Sequence, residues 1–226
     1  ARRRLGLDAP REAFHASPFD YEHQALIYIP KHLSDTRSPA GIMRLTDEME
    51  ALIRLARGRA FVLFTAWETL RQVAGELRER LPWNVLIQGE SGSRDAILET
   101  FREDTHSVLC GTRSFWEGVD VPGESLSLVI IDRVPFAPPN DPLLAARLRR
   151  CEEQGGRPFT DIQLPEAIAT LRQGVGRLIR NEHDRGVIAL LDSRLHQRSY
   201  GREIVRNLPP ARITPHFSDV EAFFAQ

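Results

Sequence analysis

Short continuous apolar runs alternate along this chain with stretches whose apolar residues recur every three or four positions. The runs Ala25-Leu26-Ile27-Tyr28-Ile29, Ala60-Phe61-Val62-Leu63-Phe64, Val85-Leu86-Ile87-Gln88, Val108-Leu109-Cys110, Leu126 to Ile131 and Gly186 to Asp192 are strand-length. Being apolar on successive residues, they read as strands buried on both faces. Between them the spacing becomes helical. Ile42, Leu45, Met49, Leu52, Ile53 and Ala56 share one stripe that Gly58 can end, and Trp67, Leu70, Val73, Leu77 and Leu81 share another that Pro82 stops. Residues 93–103 continue the pattern through Ile97, Leu98 and Phe101. After Pro135, Pro138, Pro139 and Pro142 comes a charged helix through Leu143, Leu144, Leu148 and Cys151, lasting to Gly155-Gly156. The tail predicts a helix near 199–207, a break at Pro209-Pro210, and a short closing helix from Val220 to Phe224.

Apolar strands that alternate with helices predict an α/β fold of crossover units, a parallel sheet with helices on both faces. Residues 1–226 read as a single domain, with a proline-rich and helical insertion at 133–160. Ligands of such sheets gather outside the carboxyl ends of the strands. That rule puts Thr65, Gln88, Gly111 and Asp132 on the functional edge.

Two stretches concentrate candidate chemistry. In Gln173-Gly174-Val175-Gly176-Arg177-Leu178-Ile179-Arg180, a helix would place Gln173, Gly176, Arg177 and Arg180 on one stripe. Ile168, Leu171, Val175 and Leu178 would face the core. Paired guanidiniums grip phosphate through charge-assisted hydrogen bonds; an ordinary solvated basic face is the plainer reading of the same residues. The second stretch, Gly111-Thr112-Arg113-Ser114-Phe115-Trp116-Glu117-Gly118-Val119-Asp120-Val121-Pro122-Gly123, follows a strand. Its glycines allow close approach of a ligand, and the hydroxyls of Thr112 and Ser114 can donate to phosphate. Glu117 and Asp120 cannot bind phosphate directly; they can hold the arginines or accept from a ribose hydroxyl. Trp116 serves either to stack on a base or to fill the core.

Composition narrows the partners. The 226 residues are 42% hydrophobic and 27% charged, the balance of a soluble globular protein with a sizeable core. A net charge of −1 means that any nucleic-acid surface must be local. The two cysteines, Cys110 and Cys151, have no zinc or disulfide spacing; with no apolar leader after Ala1-Arg2-Arg3-Arg4 and no membrane-length apolar run, a reducing cytoplasmic home is expected.

The pattern Gln173-x-x-Gly176-Arg177-x-x-Arg180 resembles motif VI of superfamily 2 helicases, and Phe115-Trp116-Glu117-Gly118-Val119-Asp120 resembles motif V of their DinG/XPD branch. Phe61 to Thr65 looks like motif IV of that branch. Ser17 to Tyr21, Val134-Pro135-Phe136 and Gly186 to Arg194 are similar to its bacterial, YoaA-like members. Where the family often carries small or hydroxylated residues after the motif IV Phe-Thr, this chain has Ala66-Trp67.

The resemblance implies a RecA-like lobe that supplies Arg177 and Arg180 to an ATP site, with Gln173, Gly176, Glu117, Gly118 and Asp120 around the nucleotide. It implies single-stranded DNA held by Thr65, Thr112, Arg113, Ser114 and Trp116, and 5′-to-3′ movement in a nucleoid-associated repair or replication enzyme. No phosphate loop of the type G-x-x-x-x-G-K-[ST] occurs; Gly89 to Ser93 is a plain loop, and Asp47-Glu48-Met49-Glu50 lies inside a helical pattern. In the family the phosphate loop, the Mg2+ carboxylate and a cysteine-ligated iron–sulfur cluster belong to the first lobe. The chain therefore looks like the second lobe of a longer protein, inactive by itself. A self-sufficient nucleotide hydrolase is the first rival, and the missing phosphate loop argues against it. The second is a docking module for the polymerase III chi subunit or a single-strand-binding protein. Its surface would be the tail 209–226, which can instead pack on its own sheet.

Overall fold

A computed structural model describes residues 18–33, 38–116, 126–138 and 141–226, with the side chain of Trp116 outside the description. Seven described strands form one sheet: β1 (Ala25–Tyr28), β2 (Ala60–Leu63), β3 (Val85–Ile87), β4 (Val108–Gly111), β5 (Leu128–Ile131), β6 (Gly186–Leu190) and β7 (Arg212–Thr214). Their order is β3-β4-β2-β5-β6-β1-β7, and every pairing is parallel. The parallel α/β sheet with helices on both faces, expected from the alternating pattern, is the one observed. β7 is a correction. Only Thr214 of its three residues is buried, so no apolar run marks it, and β1 recruits it through backbone pairing.

The described helices are α1 (Tyr21–Gln24), α2 (Pro39–Ala56), α3 (Trp67–Arg80), α4 (Arg94–Glu103), α5 (Arg113–Trp116), α6 (Pro142–Glu153), α7 (Leu164–Val175), α8 (Arg194–Gln197), α9 (Gly201–Arg206) and α10 (Phe217–Phe224). A π turn, Phe159–Gln163, leads into α7. Short polar side chains start four of them. Asp20 accepts from His23 N–H, Ser38 from Gly41 N–H, Ser93 from Ala96 N–H, and Asp141 from the N–H groups of Leu143 and Leu144.

Alternate strand residues feed two cores. Ile27, Phe61, Leu63, Leu109, Val129, Ile131 and Ile188 pack with α4, Phe115 and α7. Leu26, Tyr28, Val62, Phe64, Ile87, Cys110, Ile130 and Val187 pack with α2, α3 and Val220 of α10. Both faces being covered is why the strands are apolar on successive residues. Cys110 lies in the second core, where burial pushes its thiol up to about 12. Asp47-Glu48-Met49-Glu50 is indeed helical; Glu48 Oε1 accepts from Tyr28 Oη at 2.5 Å.

A parallel sheet has two unlike edges. Segments that follow a strand emerge at the carboxyl edge, and segments that enter one gather at the amino edge. The crossover from β5 to β6 matters most. From β5 the chain passes through α6 and the π turn, returns along α7, and re-enters the sheet at Gly186 of β6.

Candidate functional site

The carboxyl edge is organised by Gln88, just past β3. Its side-chain Oε1 accepts from Thr112 N–H at 2.7 Å and from the Thr112 hydroxyl at 3.0 Å. Its Nε2 donates to Ser114 Oγ at 2.8 Å. One amide thus ties the ends of β3 and β4 to α5. Gly111 makes the close approach possible, since a Cβ there would fall 2.9 Å from Phe115 Cβ. This corrects one expectation. Thr112 is buried and both of its donors are used, so it braces the corner and offers nothing outward. Ser114 accepts from Gln88 and is exposed, which leaves its own O–H to donate. Arg113 is exposed beside it.

Thr65 is exposed at the end of β2. Its N–H donates to Asp132 Oδ1 at 2.9 Å and its hydroxyl to Asp132 Oδ2 at 3.3 Å. Asp132 has no exposed surface. Burial pushes its carboxyl up from 3.8 to about 7, while the Arg133 charge and the Thr65 hydrogen bonds pull the other way. Farther along the edge Asp192 accepts from Val134 N–H at 2.8 Å and grips the Arg194 guanidinium with both oxygens, at 2.7–3.0 Å. Phe136, Phe159 and Tyr200 pack with centroids 5.3–5.6 Å apart, which seats the insertion on this edge.

The arginine stretch requires the larger correction. It is not one helix. The α7 hydrogen-bond ladder ends as Gly176 N–H donates to Arg172 O at 2.9 Å. The next two bonds tighten to three-residue spacing, Arg177 N–H to Gly174 O and Leu178 N–H to Val175 O, both 3.2 Å. Gln173 remains on the helix, Gly176 caps it, and Arg177 and Arg180 ride on the loop beyond. Leu171, Val175 and Leu178 are buried as expected, whereas Ile168 is only partly buried.

What holds that loop is polar, part of it local and part from a distant residue. The Asp184 carboxylate accepts from Arg180 N–H at 2.8 Å, Asn181 N–H at 3.1 Å and Asn181 Nδ2 at 2.9 Å. Asn181 Oδ1 accepts in return from the N–H groups of His183 and Asp184. Gln24, immediately before β1, donates Nε2 to the backbone oxygens of Asn181 and Asp184 at 2.8 and 2.9 Å. Arg180 Nε donates to Arg177 O at 3.1 Å, so the two half-buried arginines stay neighbours without a shared helix.

Because this loop enters β6 while Thr65, Gln88 and Thr112 follow their strands, the arginines and the hydroxyl corner occupy opposite edges of the sheet. The sequence pointed to the carboxyl edge alone. α5, just past β4 at the carboxyl edge, packs against α7, whose far end carries the arginine loop. Glu117, Gly118 and Asp120 lie outside the described residues, as does the Trp116 side chain.

Sequence reasoning noted Gln88 and Asp132 as strand ends but missed their bracing roles, and it missed Gln24, Asp184 and Asp192 altogether. The Asn181-x-x-Asp184 spacing was the available signal, since both side chains readily close local turns. A 590 Å³ cavity between α6 and the π turn, lined by Arg147, Arg150, Cys151 and Asp161 among others, includes none of the nominated residues. Among the described residues no group of three or more His, Cys, Asp or Glu side chains could hold a metal ion, and no helix is long and apolar enough to cross a membrane.

Comparison with known proteins adds to this geometry. The family described as "Helicase C-terminal domain" matches residues 49–211. The ATP-dependent DNA helicase YoaA of Haemophilus influenzae is 45% identical over 220 residues, which is 97% of this chain and 34% of that protein. The ATP-dependent helicase DinG of Mycobacterium tuberculosis is 42% identical over 207 residues, 91% of this chain and 31% of that protein. A solved structure titled "XPD_Helicase" superposes with a TM-score of 0.65 at 18% identity, covering 94% of this chain and 37% of that one. The chain spans about a third of the length of the curated relatives it matches.

Proposed function

The chain belongs to the helicase C-terminal domain family, and on that premise we propose that it is the second RecA-like motor lobe of an ATP-dependent DNA helicase. In this reading Arg177 and Arg180 reach the γ-phosphate of an ATP whose phosphate loop lies on a first lobe outside these residues. Gln173, Gly176, Glu117, Gly118 and Asp120 line the nucleotide side. Thr65, Arg113, Ser114 and Trp116 meet single-stranded DNA at the carboxyl edge, with Thr112 bracing them. The protein moves 5′ to 3′ along the strand as the cleft between lobes opens and closes. Magnesium and the iron–sulfur cluster are bound by the remainder of the protein, which works in the cytoplasm on nucleoid DNA.

The observation that carries this reading is the arginine loop. Positive charge useful in phosphoryl transfer must be held in place before the reaction, because reorganisation at the moment of charge development is what costs rate. Asp184 and Gln24 hold the backbone at and just beyond Arg180, and Arg180 Nε reaches back to Arg177 O. A guanidinium delivered in this way to other nucleotidases is worth about 10³–10⁵ in turnover. The test is steady-state ATPase of the full-length protein on saturating single-stranded DNA. Arg180→Ala should lose most turnover while the melting temperature and strand affinity hold, and lysine should rescue poorly because it lacks the two-pronged geometry. Turnover within a few-fold of the parent would remove Arg180 from the site. The 226-residue chain alone should not hydrolyse ATP.

A docking role for the tail, with the polymerase III chi subunit or a single-strand-binding protein as partner, has less support. β7 pairs with β1, and α10 buries Val220 and packs Phe217, Phe223 and Phe224 on the second core. The tail is thereby occupied in closing its own sheet.

A further inference from the structure

Trp67 breaks the pattern that predicted it. Helical spacing puts it on the same stripe as Leu70, Val73 and Leu77, which are fully buried, yet 45% of Trp67 is exposed. The reason is its place as the first residue of α3, where the helix has just left β2 and overhangs the carboxyl edge of the sheet. The indole lies toward the turn after β3, where an ideal Cβ on Gly89 would sit 3.6 Å from Cζ3 and 3.8 Å from Cη2. Gly89 has φ +86°, so the residue beneath the ring is one that any side chain would strain. Arg71, one turn on, places its guanidinium carbon 5.9 Å from the ring centroid. That spacing, four residues along one helix, makes an aromatic–cation pair.

The half-exposed ring stands two residues from the exposed Thr65, and its Gly89 contact adjoins Gln88, which holds Ser114. Arg71 is exposed on α3, which Thr65 precedes, and Arg113 is exposed on α5 beside Ser114. Hydroxyl donors and guanidiniums suit a phosphate backbone, and a flat ring among them suits the face of a base. Single-strand binding sites combine these two features, because every base has a π face to stack.

We propose that Trp67, paired with Arg71, is a base-stacking subsite for a single-stranded nucleic acid crossing the carboxyl edge. The inference rests on the nucleic-acid reading of that edge given above and adds a residue to it. Stacking on the ring contributes affinity without base identity and without a phosphate contact.

The experiment titrates the full-length protein with a fluorescent oligo-dT and with the same oligonucleotide carrying abasic sites. Trp67→Ala should weaken binding to oligo-dT about tenfold, the range of base–aromatic stacking. It should leave the salt dependence of binding unchanged, since no phosphate contact is lost. Trp67→Phe should recover most of the affinity, which also covers the case where the alanine variant folds poorly. On the abasic oligonucleotide the parent and both variants should bind alike. Equal binding of parent and Trp67→Ala to oligo-dT would overturn the subsite alone. So would an equal loss on the base-bearing and abasic strands, which marks a merely structural tryptophan. Absence of strand binding by the parent would overturn the nucleic-acid reading and the subsite with it.

Discussion

The amino edge and the carboxyl edge of this sheet place their polar groups by different means. At the amino edge, Arg177 and Arg180 are carried by a loop whose backbone is clamped by Asp184 and by Gln24, a residue 157 positions from Asn181 in sequence. At the carboxyl edge, Thr65, Thr112 and Ser114 are braced side chain to side chain, by Asp132 and Gln88, and several remain exposed. The first arrangement fixes charge in a defined position. The second presents hydroxyls, guanidiniums and a ring along an open rim. The proposed motor lobe would use both, a rigid element facing the nucleotide and a tolerant surface facing a strand of any sequence. The separation makes a simple demand: amino-edge variants should change turnover at saturating strand, and carboxyl-edge variants should change strand affinity.

Removing the clamp tests the amino edge most severely. Asp184→Ala leaves the N–H groups of Arg180 and Asn181 without their acceptor. ATPase of the full-length protein should fall about 10²-fold, the cost of a catalytic group displaced by roughly 1 Å. Strand affinity measured without nucleotide should stay within a factor of about three by the affinity arithmetic of lost contacts. A large loss of strand affinity would mean the edges are not separable.

Gln88→Ala is the counterpart at the other edge. It strips the buried Thr112 N–H of its partner, which should cost about 1–3 kcal/mol of stability. Urea denaturation reads that loss. Strand affinity should weaken as Ser114 loses its brace, while turnover at saturating strand remains near the parent value.

Asp132 sharpens the comparison through pH. Its folded value of about 7 lies above the ordinary 3.8, so the folded form holds its proton where the unfolded form has released it. Stability from this group is therefore present below about 3.8 and is lost as pH rises through about 7. Asp132→Asn cannot titrate. Its stability relative to the parent should rise between about pH 4 and pH 8, by roughly 1–4 kcal/mol at about 1.4 kcal/mol per unit. A difference that stays flat across that range would show that the carboxyl is not shifted by burial.

The smallest effect is that of Arg113→Ala. As an exposed phosphate contact it should lower the salt slope of single-strand binding by roughly 0.7, with turnover and melting temperature unchanged. An unchanged slope removes Arg113 from the rim.

Sequence alone determined the sheet and its helices. Phe61, Val62, Leu63 and Phe64 are apolar in succession because strands covered on both faces have no solvent side, and Leu45, Met49, Leu52 and Ala56 recur because one side of α2 meets a core. The identities of Gln173, Arg177, Arg180 and the Phe115 to Asp120 stretch carried the family. Tertiary structure decided the rest. It ended α7 at Val175, recruited Arg212–Thr214 as a seventh strand, turned Thr112 inward, left Trp67 half outside, and set the arginines and the hydroxyl corner on opposite edges. Periodicity reports which side of an element is buried on average. It carries no record of polar partners such as Gln24 and Asn181, which meet only after the chain has folded.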